Sequence, residues 1–274
     1  MTTTVLPSLP DALITLIHRM AETSGIILRR YFRTHVAVDH KADDSPVTIA
    51  DRETELALRE LLHRTVPTHG IIGEEYGGEN TSAEWVWVLD PIDGTKAFIT
   101  GKPSFGTLIG LAWRGQPVLG IIDQPITGER WIGGRGVPAQ LNGQPIHVRS
   151  CHGLKMAFLY ATDPDMFCYS PVGQAAWKRL EQAVGLRRFG ADCYAYGLLA
   201  AGFIDLVYEC QLKVYDHLPV TAVIEAAGGV VSNCKGQPAG LASNVCVLAA
   251  GDRRVHHHAL ALLNACQPQG HTND

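Results

Sequence analysis

The chain has 274 residues and a mass of 29.7 kDa, enough for one large domain or two of ordinary size with an ample core. Hydrophobic residues make up 46% and charged ones 18%, a globular composition that excludes a disordered chain. With 23 basic against 27 acidic side chains and a net charge of −4, nothing favours nucleic acid or an anionic membrane as a partner.

In chain order, Leu13, Leu16, Ile17, Met20, Ala21, Ile27, Leu28 and Tyr31 share one helical face between Leu9 and about Arg33, which predicts an amphipathic helix whose role is core packing. Thr34 to Pro46 is polar and reads as a loop. A second helix runs from about Thr48 to Arg64, with Thr48 and Asp51 spaced as a capping box, so Asp51 is a cap or a functional acid. His69 to Gly78 holds a short apolar strand ending in Glu74 and Glu75. If that strand continues, the two acids point in opposite directions and at most one faces a shared site.

Trp85 to Leu111 is the richest stretch. A Trp, Val and Leu run predicts a buried strand ending on Asp90, followed by a tight turn through Pro91 and Gly94. Burying an unpaired carboxylate is costly, so Asp90 and Asp93 at such a strand end point to a cation or a hydrogen-bond network. The alternative is an Asp-rich turn that only caps a helix. Gly94 and Thr95 offer backbone N–H groups and a hydroxyl at a helix start, a geometry suited to phosphate. An acidic protein that binds a phosphate ester needs a local positive centre, which bound divalent metal supplies.

From Phe105 to Ser150, apolar runs alternate with RGQP, TGER, GRG and NGQP turns, the spacing of an antiparallel meander. Beyond Ser150 strands and helices alternate, which divides the chain into an α+β part (1–150) and an α/β part (151–274). Strands are expected at Lys155–Ala161, Phe203–Glu209 and Asn244–Ala250. Helices are expected at Pro171–Val184, Tyr194–Ala201, Asp216–Ala227 and Asp252–Cys266. His256, His257 and His258 read as a polar surface run, because helical neighbours point about 100° apart. The seven cysteines, Cys151, Cys168, Cys193, Cys210, Cys234, Cys246 and Cys266, form no CxxC pair and read as reduced cytosolic thiols rather than zinc ligands or a disulfide framework. No export signal or run of roughly 20 apolar residues is visible, so a cytoplasmic protein is expected.

SPVTIAD, IIGEE, WVLDPIDGT and YDHLPVTAVIEAAGG, in this order, resemble the magnesium-dependent phosphatases of the inositol monophosphatase superfamily, from about residue 10 to residue 265. DGTKAFITGKPSFGTLIGL, LGIIDQPITGERWIG, LYATDPDMF and FGADCYAYGLLAAGFIDLVYE are most similar to its histidinol-phosphatase branch. Lys96 and Asp192 stand where inositol-specific members carry an Asn and a GTA-like turn. The resemblance implies the layered α/β sugar-phosphatase fold, two or three Mg²⁺ per active site, and a homodimer. It implies that Glu74, Asp90 and the carbonyl of Ile92 hold one ion, while Asp90, Asp93 and Asp216 hold another. It places phosphate on the N–H groups of Gly94 and Thr95, and an attacking water on Glu74 and a Thr95 hydroxyl backed by Asp51. Asp192, Glu209 and Lys96 would contact the substrate, since histidinol phosphate carries an ammonium and an imidazole that suit acids.

Asp192 as a cap of the following helix and Glu209 as a solvent-facing strand-end acid are the bland alternatives. The function expected is hydrolysis of L-histidinol phosphate. The alternatives are an inositol monophosphatase, a broad sugar or nucleotide phosphatase, and a catalytically silent binding protein.

Overall fold

A computed structural model describes residues 9–41 and 46–265. Helix α1 (Asp11–Tyr31) buries Leu13, Leu16, Ile17, Met20, Ala21, Ile27 and Leu28, the face its spacing predicts. In the segment read as a loop, β1 (Val38–His40) and β2 (Pro46–Thr48) form an antiparallel ribbon. Pro46 is tolerated there because the first residue of an edge strand needs no N–H. Helix α2 (Ile49–Thr65) starts at the expected capping box: Thr48 Oγ1 accepts from Ala50 N at 3.1 Å, and Asp51 Oδ2 accepts from Thr48 N at 2.8 Å.

The next strands are β3 (Gly70–Gly73), β4 (Gly77–Glu79) and β5 (Trp85–Asp93), followed by the one-turn helix α3 (Thr95–Ile99). The expected meander supplies β6 (Gly106–Trp113), β7 (Gln116–Gln124), β8 (Glu129–Gly134), β9 (Val137–Leu141) and β10 (Gln144–Pro145). Together they build an eight-stranded sheet in the order β10-β9-β8-β7-β6-β5-β3-β4, in which only β3 and β5 pair in parallel. Two of the hairpins turn on residues that accept positive φ, Arg114–Gly115 (48° and 76°) and Asn142–Gly143 (49° and 77°).

The remaining elements are β11 (Phe158–Ala161), α4 (Pro171–Ala183), β12 (Leu186–Phe189), α5 (Tyr194–Ala200), β13 (Leu206–Leu212), α6 (Val214–Ala226), β14 (Val230–Asn233), β15 (Val245–Ala250) and α7 (Arg253–Asn264). Their sheet runs β12-β11-β13-β15-β14, with β11 parallel to both neighbours and the other pairs antiparallel. β11 starts later than expected because Leu154–Met156 winds into a 3-10 turn. β13 starts later because Phe203 is left exposed. Neither β12, a charged edge strand, nor β14 carries the apolar alternation that would announce it.

Helix α6 lies between the sheets, against β5, β6, β7 and β8 on one side and β14 and β15 on the other. Its Val220, Val223 and Ile224 join Leu108, Ile122 and Trp131 of the first sheet to Val247 and Ala249 of the second. This contact requires glycine at 120, where a Cβ would lie 2.0 Å from the Pro219 carbonyl oxygen. Among the described residues no helix is long and apolar enough to cross a membrane.

Two expectations are corrected. Cys210 and Cys246 form a disulfide, while Cys151, Cys168, Cys193 and Cys234 are free and Cys266 lies outside the described residues. Antiparallel pairing of β13 with β15 brings the two together, which spacing along the chain cannot reveal. His256 is buried and bonded to Ser232 Oγ at 2.9 Å, because it follows Val255 on the buried face of α7; only His257 and His258 face solvent.

Gly120→Ala is expected to lower unfolding stability by about 1–3 kcal/mol in urea melts, the usual cost of overpacking. Gly153→Ala, where a Cβ meets nothing within 4 Å, should stay within about 0.5 kcal/mol of the parent.

Candidate metal-centred site

The buried run of β5 brings Asp90 to 2% exposure, and its Oδ1 accepts from Ile92 N at 3.0 Å. The register with β6 shifts between Asp90 and Asp93, so the chain leaves regular pairing where the two acids lie. Gly94 then takes a φ of 85° and turns the chain into α3; a Cβ there would lie 2.7 Å from Asp192 Cγ. Thr95 Oγ1 lies 3.1 Å from the Ile92 carbonyl oxygen and 3.4 Å from Asp51 Oδ1. Asp51 therefore serves both readings left open by sequence, cap of α2 and partner of Thr95.

Asp216 arrives from the first turn of α6, where it accepts from Lys213 N at 2.8 Å. Asp93 accepts from Cys193 N at 2.6 Å, at the start of α5. Asp90, Asp93 and Asp216 each place a carboxylate oxygen within 4.8 Å of the others. Burial raises the pKa of Asp90 and Asp93 well above the usual carboxylate range, helped by the charges of Glu74, Asp93 and Asp216 on Asp90 and of Asp216, Asp192 and Glu209 on Asp93. Burial pushes Asp216 up to about 7, against the pull of the Lys213 N–H, and Glu74 adds to the rise of both Asp90 and Asp216. No basic side chain is ion-paired with these three acids among the described residues. Carboxylates that are buried (Asp90) or half-buried (Asp93 and Asp216), have no basic partner and converge on one point fit a hard divalent cation.

Glu74 and Glu75 behave differently from the sequence expectation. β3 ends at Gly73, the chain turns, and both carboxylates reach Lys41 Nζ, at 2.8 and 2.6 Å. The turn is pinned by buried Glu55, which accepts from Glu75 N at 2.7 Å and Tyr76 N at 3.2 Å and is itself paired with Arg59. Lys41 and Glu55 were missed by sequence reasoning: Lys41 sits in a polar stretch without periodicity, and Glu55 looks like any helical acid.

A cavity of about 240 Å³ opens on this cluster, lined among others by Glu74, Asp93, Gly94, Thr95, Lys96, Thr162, Met166, Asp192 and Glu209. Clefts of about 490 and 650 Å³ elsewhere hold none of these residues, so charge rather than volume singles out the smaller one. Asp192 has a φ of 48° and accepts from Ser104 Oγ at 2.7 Å. It makes no cap bond to α5, whose start is held by Asp93 instead. Burial raises its pKa, opposed by Ser104 and by the charges of Lys102 and Lys96. Glu209 is 4% exposed and accepts from Thr162 N at 2.8 Å and Tyr196 OH at 2.9 Å, so it is not a solvent-facing acid. Lys96 is exposed at the rim. Ser104 and Thr162, which fix the two acids, carry no signal in the sequence.

A family model described as "Inositol monophosphatase family" matches residues 10–268. The "Bifunctional phosphatase IMPL2, chloroplastic" of Arabidopsis thaliana is 47% identical over 253 residues, covering 89% of this chain and 72% of its own. The "Histidinol-phosphatase" of Mycobacterium tuberculosis is 34% identical, with 86% and 91% covered. Among solved structures, an inositol monophosphatase from Zymomonas mobilis superposes with a TM-score of 0.85 at 42% identity, covering 94% of this chain and 99% of that one.

Because Glu74, Asp93 and Asp216 all repel a charged Asp90 in the metal-free state, Asp90→Asn should raise its stability by on the order of 1 kcal/mol. The measurement is thermal unfolding in chelator, followed by Mg²⁺ addition. The parent should gain stability with Mg²⁺, and the variant should gain much less.

Proposed function

The chain belongs to the inositol monophosphatase family, and from that premise we propose that it is a Mg²⁺-dependent phosphomonoesterase that hydrolyses L-histidinol phosphate to L-histidinol and phosphate. The observation that carries the reading is the triplet of Asp90, Asp93 and Asp216 beside a cavity whose lining includes two more acids, Asp192 and Glu209. In this reading Glu74, Asp90 and the Ile92 carbonyl hold one Mg²⁺, and Asp90, Asp93 and Asp216 hold a second. Bound, the ions supply positive charge to the phosphate and acidify the attacking water.

The chain's own groups do the rest. The N–H groups of Gly94 and Thr95 face the phosphate oxygens from the turn into α3. The Thr95 hydroxyl, within reach of Asp51 and the Ile92 carbonyl, orients the water, and Glu74 accepts its proton. Phosphate monoesters hydrolyse extremely slowly unaided. The chain has no P-loop lysine motif and no phosphocysteine signature, which leaves charge stabilisation as the term that lowers the barrier.

Asp192 and Glu209 support the choice of substrate. Asp192 spends one oxygen on Ser104 and turns its carboxyl toward Gly94, which leaves acceptor capacity for an ammonium or imidazole N–H. Glu209 accepts from Thr162 N and Tyr196 OH and lies near enough to Asp192 to act on it by charge. The histidinol-phosphatase name of one relative agrees with this choice. The bifunctional name of the Arabidopsis relative favours a second reading, in which an inositol or sugar phosphate is also accepted.

kcat/KM for histidinol phosphate, inositol 1-phosphate and fructose 1,6-bisphosphate, measured side by side with Mg²⁺, decides between them. A clear preference for the first is expected, and equal values would establish the broad reading. Asp93→Asn should lower kcat by roughly 10²–10³-fold or more, the scale of removing a transition-state charge contact, with the circular dichroism spectrum unchanged. Asp192→Asn should raise KM for histidinol phosphate by about tenfold, or ~1.4 kcal/mol, while hardly changing KM for an aryl phosphate. An equal effect on both would leave Asp192 a structural residue.

A further inference from the structure

We propose that Lys41 is a built-in surrogate cation, whose ammonium occupies Glu74 until a divalent metal displaces it. This rests on the reading of Glu74 as a metal ligand. Lys41 Nζ donates to Glu74 Oε1 at 2.8 Å and to Glu75 Oε1 at 2.6 Å, and the side chains are only 23%, 19% and 5% exposed. The pair is therefore not a screened surface ion pair of negligible consequence. Burial works against the ammonium, yet Glu74 and Glu75 together hold its pKa above the ordinary lysine value.

Both sides of the contact are built in. Lys41 directly follows β1, whose His40 is paired with Pro46 of β2. The opposing turn is fastened by the bonds from Glu75 N and Tyr76 N to Glu55. The contact is also selective, since Asp90, Asp93 and Asp216 have no such partner among the described residues while Glu74 does. A carboxylate oxygen that accepts an ammonium proton at 2.8 Å has its lone pairs and its charge partly committed. A divalent cation arriving there meets like charge and competes for the same oxygen. Lys41 thus lowers the cost of burying Glu74 and Glu75 without metal, and it weakens the metal once present.

These two effects have opposite signs in one variant, which separates them from a merely structural strap. In Lys41→Met the chelated protein should melt at a lower temperature than the parent. Its Mg²⁺ dissociation constant by calorimetry should fall about tenfold, the factor that ~1.4 kcal/mol of removed repulsion gives. Lys41→Arg keeps the charge and should stay close to the parent. Lys178→Met removes an exposed lysine of α4, a helix packed against α7, and reports any effect of net charge alone. Mg²⁺ binding that is unchanged or weaker in Lys41→Met, or tightened equally in Lys178→Met, overturns the inference while the metal reading stands. A parent protein that binds no Mg²⁺ overturns both.

Discussion

Several carboxylates are brought into a low-dielectric seam where each raises the cost of ionising the next. Asp90 and Asp93 come from the end of one strand and Asp216 from a helix start; Asp90 and Asp216 accept from nearby backbone N–H groups, of Ile92 and Lys213, and Asp93 from that of Cys193, 100 residues away. Those bonds fix the directions of the carboxylates without neutralising them. Like charges at such separations are unfavourable in water and far more so when buried. The fold therefore holds the acids in place by packing around them, and under the proposed reading a metal cation repays the repulsion.

Helix α6 is what makes that packing possible. It carries Asp216 in its first turn, and its later turns are buried against both sheets, with Val220, Val223 and Ile224 at the join. A helix apolar on all sides is stable only when covered all round. The eight-stranded sheet accommodates it by presenting glycine where the Pro219 carbonyl comes closest. The cluster thus depends on one helix being clamped between two layers, so packing far from the acids bears directly on their spacing.

The cavity joins two kinds of group. Its lining combines Glu74, Asp93, Gly94 and Thr95 with Thr162, Met166, Asp192 and Glu209, and Asp192 lies directly against Gly94. Two of its acids are fastened by neutral donors, Ser104 for Asp192 and Thr162 with Tyr196 for Glu209, which oppose the rise in pKa that burial imposes on both. That arrangement suits a phosphate ester whose leaving group carries donors, and it puts the proposed substrate-choosing acids immediately beside the proposed hydrolytic machinery.

Much of this was legible from residues alone. The stripe of α1, the capping box of Thr48 and Asp51, the meander after Phe105 and the acids at the end of β5 all rest on local rules: periodicity of two or 3.6, turn chemistry and the cost of a buried charge. Family resemblance added Glu74 and Asp216 to the same set. What local rules do not reach is pairing between distant segments. The disulfide of Cys210 with Cys246, the burial of His256 against Ser232, the capture of both Glu74 and Glu75 by Lys41, and the anchoring of Asp192 by Ser104 each join residues far apart in the chain. The sequence by itself determined which acids are present and which elements carry them. Only the tertiary structure decided which of them meet, because proximity across sheets is set by strand order and by the packing of α6, not by spacing along the chain.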